Sequence, residues 1–576
     1  MTPAVPYLRR AATVGMIGGI VLVFLGLIGM IQAFSGREVV TGYVTLGRVV
    51  MVLVVLLFAW NATRTTAASA TVPSRHLRLI AGALAGALGG AVTALFLLIA
   101  ENVDLTPVLQ SVSGRLLQTM SFRLDLAPAI VLLTIGGAVL GVLAAGLHLL
   151  PRILQRAVVA GAAAVLLVSL MEPLLRVMLV QLKLTAAADF LYQRGGLTLP
   201  AALLVFVLVA GANGAWRRRG AAVRERVEGL PAGQHRVLTF AVLAVVGVLL
   251  LALPQIVGPF LSEVLGTVGV FILLGLGLNI VVGFAGLLDL GYVAFYAVGA
   301  YTTAVLTSLA LDSQLNFWVA LPLVVAVAAI AGLMIGAPVL RLRGDYLAIV
   351  TLGFGEIARI LALSDWLSPL LGGAQGVLNI PAPTIFGIAL RDPQTLYYLI
   401  LLFCIIAAAV ALSLANSRVG RAWNAMREDE QVAEATGINT TNYKLLAFAI
   451  GAVFGCLAGA LFAVKIGSVF AQSFPLLVSI TALALIILGG MGSILGVIVG
   501  ALVLVGLPEL LREFAEFRLL IYGAVLVAMM LLRPEGLVPS ATRRRELHED
   551  EPPEEQYESD AGKPSGAPVI TAGGGA

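Results

Sequence analysis

Long apolar stretches recur along almost the whole chain and are separated by short polar segments. Most of these stretches have the length of about 18 or more residues that a helix needs to cross a hydrocarbon layer of about 30 Å. They do not alternate apolar and polar residues in segments of about ten, as the strands of a membrane β-barrel would. The pattern therefore predicts an all-α, polytopic transmembrane helical bundle of about 16 spans in two blocks.

A polar, arginine-bearing segment at residues 217–236 separates the two blocks, and we interpret it as a cytoplasmic linker between two membrane domains. The first block, residues 1–216, has predicted spans near 12–34, 44–61, 79–100, 128–150, 156–181 and 198–215. The second block, residues 237–540, has predicted spans near 237–254, 264–284, 290–311, 317–340, 346–363, 395–415, 444–464, 476–489, 494–509 and 518–533. Residues 541–576 are acidic and then rich in glycine, proline and alanine, which predicts a disordered tail.

The composition is that of a membrane protein. Of the 576 residues, 60% are hydrophobic and 12% are charged, and the mean hydropathy is +1.02, whereas a soluble domain is about 25% charged. The net charge of +5 arises from arginines that flank apolar spans, so membrane orientation explains it and we expect no nucleic-acid partner. The positive-inside tendency places residues 341–345, residues 416–443 and both termini in the cytoplasm.

Metal-binding and enzymatic chemistry have little support in the sequence. Cys404 and Cys456 lie inside apolar segments, and the four histidines are scattered, with no second ligand at metal spacing. No Ser/His or Asp/Asp arrangement recurs at helical spacing within the spans. We therefore expect no metal, no cofactor and no enzymatic activity in this chain.

The longest polar interruption of the second block, residues 417–444, has a middle that is predicted to be helical. Apolar positions such as Ala422 and Val432 interrupt a charged segment, and Gly437 followed by Asn439 predicts the end of the helix. A short amphipathic helix outside the bilayer has a face suited to a partner's groove. A solvated loop helix without a partner is the alternative.

Five segments of the second block carry long and specific patterns. They are GLGLNIVVGFAGLLDLGYVAFYAVGAY at 275–301, RLRGDYLAIVTLGFGEIARIL at 341–361, RVGRAWNAMREDEQVAEATGIN at 418–439, LGGMGSILGVIVGALVL at 488–504 and RPEGLVP at 533–539. Together they resemble, in the same order, the LivM-type permease subunits of branched-chain amino-acid ABC importers. The resemblance covers about residues 255–540, and it implies a permease of the bacterial cytoplasmic membrane.

The resemblance also implies partners in the lipid bilayer and around it: a second permease subunit, two cytoplasmic ATPase subunits and an extracytoplasmic solute-binding protein. No lysine of this chain stands in a G-x-x-x-x-G-K-[ST] loop, so ATP must be hydrolysed on another chain. By the resemblance, the 417–444 loop is the coupling helix that seats in the ATPase. Its coupling residues would be Arg421, Arg427, Glu428, Asp429, Glu430, Ala433, Gly437 and Asn439.

Glycine-rich breaks in two parts of the second block indicate a translocation path, because paired interrupted segments are a pointer to one. Unwound backbone at membrane depth survives only where it is buried in protein or lines a water-filled cavity, and polar groups there are functional candidates. The predicted path residues are Asn279, Gly283, Gly286, Asp289, Tyr292, Thr351, Gly489 and Gly490. Ordinary close packing of helices is the alternative for most of the glycines.

Three further segments have more than one interpretation. Glu356 lies one helical turn from Arg359, which can neutralise it. The long segment 364–394 suits the docking of a binding protein, and a simple covering loop is the alternative. For residues 1–216 we hypothesise a dispensable accessory or scaffold domain.

Other transport functions stay open at this point. Similar permeases serve urea, short amides or aromatic acids, and the binding protein selects the solute in such systems. An ion-coupled secondary transporter is a further alternative. It needs ion ligands or proton-relay carboxylates deep in the spans, and the second block is poor in them.

Overall fold

The computed structural model describes most of the chain. The described residues are 4–64, 74–103, 105, 107, 109, 111–193, 195–228, 232–309, 314–339, 344–385, 387–510, 516–517, 520, 523–524, 526–527, 529 and 535–539. The chain divides into two compact units, Met1–Val257 and Gly258–Ala576. The predicted tail at 541–576 and most of the predicted span at 518–533 lie outside the described residues.

The first unit is helical, with a small sheet. Its helices are α1 (Ala4–Leu27), α2 (Met30–Ser35), α3 (Leu46–Thr63), α4 (Arg75–Asn102), α5 (Gly114–Met120), α6 (Leu126–Leu147), α7 (Arg152–Leu170), α8 (Glu172–Gln181), α9 (Thr185–Leu191) and α10 (Leu199–Glu228). Its strands are β1 (Glu38–Val40), β2 (Val44–Thr45), β3 (Tyr192–Gln193) and β4 (Gly196–Leu197). The strand order is β2-β1-β4-β3, and the pairing of β1 with β4 is parallel.

Helix α11 (Ala232–Leu278) is interrupted at Gly258, whose φ of 78° is not helical. The later helices are α12 (Val293–Thr307), α13 (Phe317–Val339), α14 (Asp345–Leu363), α15 (Ser368–Leu371), α16 (Pro393–Ala415), α17 (Arg418–Glu428), α18 (Glu430–Ala435), α19 (Thr440–Ile466), α20 (Leu476–Gly489), α21 (Ile494–Ala501) and α22 (Leu507–Leu510). Among the described residues, Asn279–Phe284 and Leu502–Gly506 are π-helical, and β5 (Thr384–Ile385) and β6 (Ile388–Ala389) form a hairpin.

Eleven helices within the described residues are long and apolar enough to cross a membrane, which confirms the predicted all-α transmembrane bundle. Phe240–Phe284 forms one of them, where the sequence predicts two spans. The predicted span 156–181 breaks at Met171, because Glu172 and Pro173 suit the first turn of a new helix. The predicted spans at 198–215, 290–311 and 494–509 correspond to the shorter apolar helices Leu199–Ala215, Val293–Thr307 and Ile494–Gly506.

The predicted linker at 217–236 falls mostly on helix. Residues 217–228 continue α10 and residues 232–236 begin α11, whereas residues 229–231 lie outside the described part. Its interpretation as a linker stays a prediction.

Glycines bring α4 and α6 of the first unit into close contact. A Cβ atom at Gly86 would lie 2.0 Å from the carbonyl oxygen of Gly137, and one at Gly141 would lie 1.9 Å from that of Gly82. Small residues allow this approach, which matters in lipid because helix association there depends on close packing. Both helices stay regular throughout, so these glycines serve packing.

In the second unit, α12 packs on α19 in the same manner. A Cβ atom at Gly299 would lie 2.1 Å from the carbonyl oxygen of Cys456, and one at Gly459 would lie 2.1 Å from that of Tyr296. The buried Cys456 thiol donates a hydrogen bond to the Phe295 carbonyl oxygen at 3.0 Å. Cys456 is therefore a core residue, as predicted.

Candidate functional site

The 417–444 loop folds as two short helices, α17 and α18, where the sequence predicts one helical middle. The Ser417 hydroxyl oxygen accepts the Gly420 N–H at 3.3 Å, which satisfies an amide that the first helical turn leaves without a partner. Trp423 is fully buried, and its indole N–H donates to the Tyr443 carbonyl oxygen at 2.8 Å. These contacts fasten α17 to the start of α19.

Asp429 divides the two helices. Its backbone is extended, with φ of −154°, and its Oδ1 atom accepts the N–H groups of Gln431 at 2.8 Å and Val432 at 3.1 Å. A carboxylate at this position caps α18 and also complements the positive end of the helix dipole. The sequence-predicted coupling residue Asp429 is thus a cap.

Gly437 and Asn439 mark the end of α18 and the start of α19. Gly437 has φ of +90°, a conformation that glycine adopts without strain, and the Ile438 N–H donates to the Ala433 carbonyl oxygen at 3.1 Å. Asn439 Oδ1 accepts the Asn442 N–H at 3.1 Å. The prediction that Gly437 ends a helix is confirmed, and its coupling role stays a prediction. Asn439 caps the following helix and does not help to end the preceding one.

The loop has two different faces. We define its outer face as the exposed residues Arg421, Glu428, Asp429, Gln431, Val432 and Glu434. Val432 is 58% exposed and the Glu428 side chain 60%. The Arg427 side chain is only 17% exposed, the Glu430 side chain 24%, and Ala433 is buried. The predicted coupling residues therefore do not share one surface.

On the inner side, Lys444 pairs with Glu430. The Nζ to Oε1 distance is 2.5 Å, and the Lys444 side chain is 7% exposed. A buried ammonium without a partner would be strongly destabilising, so this pair fixes α18 against the start of α19. Lys444 is not among the site residues predicted from the sequence. The available signal was a lone lysine at the polar start of an apolar span.

Arg427 links α17 to the first glycine-rich break. Its Nη1 atom donates to the Gly283 carbonyl oxygen at 3.0 Å, and its Nη2 atom pairs with Glu428 Oε1 at 3.0 Å. Gly286 lies against the same side chain, with φ of +73°, and a Cβ atom there would lie 2.7 Å from Arg427 Cγ. Two residues predicted for different roles, Gly286 and Arg427, are therefore in contact.

The first break begins where α11 changes into the π-helical segment Asn279–Phe284. Asn279 is 1% exposed, and its Oδ1 atom accepts the Gly492 N–H at 2.9 Å. A Cβ atom at Gly283 would lie 2.1 Å from Asn279 Oδ1 and 2.7 Å from the Gly492 nitrogen. The first break is therefore bonded directly to the second one.

The second break is the turn between α20 and α21. Gly490 and Gly492 have positive φ values of 119° and 77°, and a Cβ atom at Gly489 would lie 2.0 Å from the Gly496 carbonyl oxygen. Residues 537–538 also pair with this turn through backbone hydrogen bonds, from Leu537 to Leu488 at 2.9 Å and from Val538 to Gly489 at 2.8 Å. Asn279 therefore holds the turn at Gly492, and residues 537–538 hold it at Leu488 and Gly489.

Asp289, Tyr292 and Thr351 lie in the packed interior of the second unit, each at most 1% exposed. Asp289 Oδ1 accepts the Gly291 N–H at 2.9 Å, and the Tyr292 hydroxyl donates to the Gly451 carbonyl oxygen at 2.6 Å. Thr351 Oγ1 accepts the Leu290 N–H at 3.1 Å. These contacts make all three residues supports of the chain after the first break, and their role in lining a path stays a prediction.

A cavity of about 190 Å³ lies between the loop and the first break. Its lining includes Gly286, Leu288, Gly344, Arg427, Glu430 and Lys444. The loop and the first break thus meet at one place, where two cations and a carboxylate gather. In the described part of the chain, no group of three or more histidine, cysteine or carboxylate side chains is arranged to hold a metal ion.

Glu356 and Arg359 pair on α14, one helical turn apart, as predicted. Since the guanidinium neutralises this carboxylate, the pair needs no functional explanation.

Comparison with known proteins gives a family match in the second unit. The family model for the permease component of branched-chain amino acid transport systems matches residues 260–532. LivM, a permease protein of the high-affinity branched-chain amino acid transport system of Salmonella typhimurium, is 45% identical over 293 residues, which are 47% of this chain and 68% of that protein. LivM of Escherichia coli is 43% identical over 315 residues, 51% of this chain and 73% of that protein.

A second kind of relative is more distant. The Escherichia coli permease protein LivH, also of the high-affinity branched-chain amino acid transport system, is 24% identical over 296 residues, which are 46% of this chain and 91% of that protein. No solved structure shows a significant match to the chain.

The matched region includes the 417–444 loop and both glycine-rich breaks, since the family model covers residues 260–532. The two LivM proteins are matched over 68% and 73% of their length at 45% and 43% identity, which confirms the resemblance predicted from the five segments. The chain therefore belongs to the family of permease components of branched-chain amino acid ABC transport systems, which are multi-pass membrane proteins and not enzymes.

Proposed function

We propose that this permease imports branched-chain amino acids with energy from separate ATPase subunits, and that the 417–444 loop is its contact with them. The proposal depends on one observation: the loop has an exposed face and an anchored face. The outer face presents charged side chains around the exposed Val432, whereas Arg427 bonds the inner side to the first break. An element with one free face and one anchored face suits the transfer of a partner's movement.

The proposed complex contains a second permease subunit, two cytoplasmic ATPase subunits and an extracytoplasmic solute-binding protein. Support for a second permease comes from the matches to LivM and LivH, which are both permease proteins. Support for separate ATPases comes from the sequence, in which no lysine stands in a phosphate-binding loop.

In the proposed orientation, the 417–444 loop and both termini lie in the cytoplasm of a bacterial cell, because arginines concentrate on that side. Sixteen membrane segments account for the apolar sequence. They are the eleven long helices with Phe240–Phe284 divided at Gly258, the three shorter apolar helices, and the segment at 518–533, most of which lies outside the described residues.

Segment 364–394 is the proposed docking site for the binding protein. It is fastened to the chain after α19 by the backbone pair of Val377 and Val469, with both hydrogen bonds at 2.9 Å. Trp366 within it is largely exposed, and exposed tryptophans are frequent anchors in protein interfaces. A fixed segment with an exposed aromatic side chain favours the interpretation as a docking site over that as a simple covering loop.

The solute is tested by uptake into proteoliposomes that contain the whole complex. Labelled leucine, isoleucine and valine are expected to enter when ATP is supplied on the ATPase side. Uptake of urea, a short amide or an aromatic acid in their place would assign the permease to another solute of the same group. Uptake against a gradient by this chain alone, without an ATPase, would favour an ion-coupled transporter.

The ATPase contact is tested by Val432→Asp, which places a charge at the apolar position of the outer face. We expect the amount of ATPase that co-purifies with the permease to fall about tenfold, because burying an unpaired charge in an interface is costly. Thr441→Asp is the matched control: it adds the same charge at an exposed position in the first turn of α19. Undiminished co-purification with Val432→Asp would remove the loop as the contact.

A further inference from the structure

The carbonyl group of Gly283 lies at the end of a π-helical segment, where regular helical hydrogen bonding stops. The last carbonyl groups of a helix have no partner within it and carry partial negative charge. Arg427 supplies a donor there, at 3.0 Å from its Nη1 atom. A charged donor to such a carbonyl group makes a stronger bond than a neutral one does.

The same π-helical segment makes a second contact at its other end. Asn279 Oδ1 accepts the Gly492 N–H at 2.9 Å, although the two residues are 213 positions apart. A helical segment of only six residues thus has α17 bonded at one end and the second break at the other. Short π-helical segments frequently occur at functional sites, since they are less regular than the helix that they interrupt.

Both contacts require glycine beside them. A Cβ atom at Gly286 would meet Arg427 Cγ at 2.7 Å, and one at Gly283 would meet Asn279 Oδ1 at 2.1 Å. The glycines therefore let two polar side chains reach the backbone. This is a more specific role than close packing of two helices.

Arg427 differs from the other charged residues of its loop. The Lys444 and Glu430 pair holds α18 to α19 within the loop itself, and the contact of the Arg421 guanidinium is local, with the Asn416 carbonyl oxygen at 3.4 Å. Arg427, by contrast, donates to a carbonyl group 144 positions away. Its planar group donates to Gly283 and to Glu428 at once, which a lysine cannot do with the same geometry.

We propose that Arg427 is the positioning residue that transmits movement of the 417–444 loop to the π-helical segment, and through Asn279 to the Gly489–Gly492 turn. This inference rests on the proposed function of the loop as the ATPase contact. Arg427 does not touch the solute in this scheme. It determines whether the two glycine-rich breaks change together when the ATPase moves the loop.

The test uses the complete transporter in proteoliposomes and measures three quantities: co-purified ATPase, ATP hydrolysis, and solute taken up per ATP hydrolysed. Arg427→Ala is expected to keep co-purification and hydrolysis within about twofold, and to lower uptake per ATP about tenfold, as expected for loss of a charged hydrogen bond. Arg427→Lys should recover part of this ratio, since lysine can still donate to Gly283. Arg418→Ala, at the exposed first position of the same helix and outside the outer face, is the control and should leave the ratio unchanged.

A second variant keeps the inference falsifiable where Arg427→Ala is poorly folded. Asn279→Ala removes the acceptor for the Gly492 N–H and should lower uptake per ATP in the same way. The double variant Arg427→Ala/Asn279→Ala should be no worse than either single variant, because both residues act in one pathway. Additive losses would contradict transmission through this segment.

Other results separate the two proposals. An unchanged ratio in Arg427→Ala, with Val432→Asp still releasing the ATPase, would overturn transmission alone. Loss of co-purification in Arg427→Ala would also overturn it, since Arg427 would then belong to the docking surface. No effect of Val432→Asp on co-purification would remove the proposed function and, with it, the transmission role.

Discussion

Glycine packs helices together in both units, and in the second unit it also serves where a helix is interrupted. In the first unit, Gly86 and Gly137 bring α4 and α6 together, and both helices stay regular. In the second unit, Gly283 and Gly286 lie where a helix stops, beside side chains that hydrogen-bond to backbone. Glycine enrichment in a membrane sequence therefore does not by itself indicate a path. An interrupted helix bonded by polar side chains is the more specific sign.

The largest expected effect tests the packing role. In Gly86→Ala, the new methyl group would lie 2.0 Å from the Gly137 carbonyl oxygen, so α4 and α6 must separate. We expect a loss of about 2–3 kcal/mol in stability, typical of overpacking, measured as a lower thermal midpoint in detergent. Gly136→Ala is the control, since the nearest atom to its Cβ, in Leu132, lies at 3.9 Å. Equal midpoints for the two variants would contradict the packing role.

A smaller expected effect concerns Gly286 at the first break, where a substitution can act through backbone strain or through its contact with Arg427. In Gly286→Ala, a residue with φ of +73° acquires a methyl group near Arg427. We expect a loss of about 1–2 kcal/mol in stability from the left-handed backbone, together with lower uptake per ATP. Gly42→Ala, outside the 417–444 loop, has a similar φ of +77° with no atom within 4 Å, so it should lower stability and leave uptake per ATP unchanged. If both variants lowered the uptake per ATP, backbone strain alone would explain the loss.

The smallest expected effect concerns the first unit as a whole. If residues 1–216 form an accessory domain, their deletion should change ATP-driven uptake by less than about twofold, because the family match covers residues 260–532. The measurement is uptake by the assembled complex at equal permease amounts. Loss of both assembly and uptake would show that the first unit is required.

The all-α character of the membrane bundle and the position of the loop were predictable because they depend on local composition, whereas eleven long apolar helices among the described residues stand where about 16 spans were predicted. Hydropathy over about 20 residues identifies a span, and the pairing of Glu356 with Arg359 follows from helical spacing. The family resemblance is the basis for the prediction that the loop is functional. It did not show which side chains face outward. Helical periodicity defines one face only within a continuous helix, and the extended backbone at Asp429 divides residues 418–439 into two short helices.

The contacts between the loop and the breaks were not predictable from this sequence. Arg427 and Gly283 are 144 positions apart, and Asn279 and Gly492 are 213 positions apart. No local pattern encodes such pairs, because they depend on how the helices pack. The π-helical segment Asn279–Phe284 was missed for the same reason, as its residues also suit an ordinary apolar helix.

The attachment of residues 537–538 to the second break determines which changes this part of the chain tolerates. Both hydrogen bonds use backbone N–H groups, so most side-chain substitutions leave them intact and proline at either position removes one. Gly536 is different, because it has φ of +90° and a Cβ atom there would lie 2.5 Å from Gly490 Cα. The segment after the last predicted span is therefore held through its backbone, and its fit depends on the absence of a side chain at Gly536.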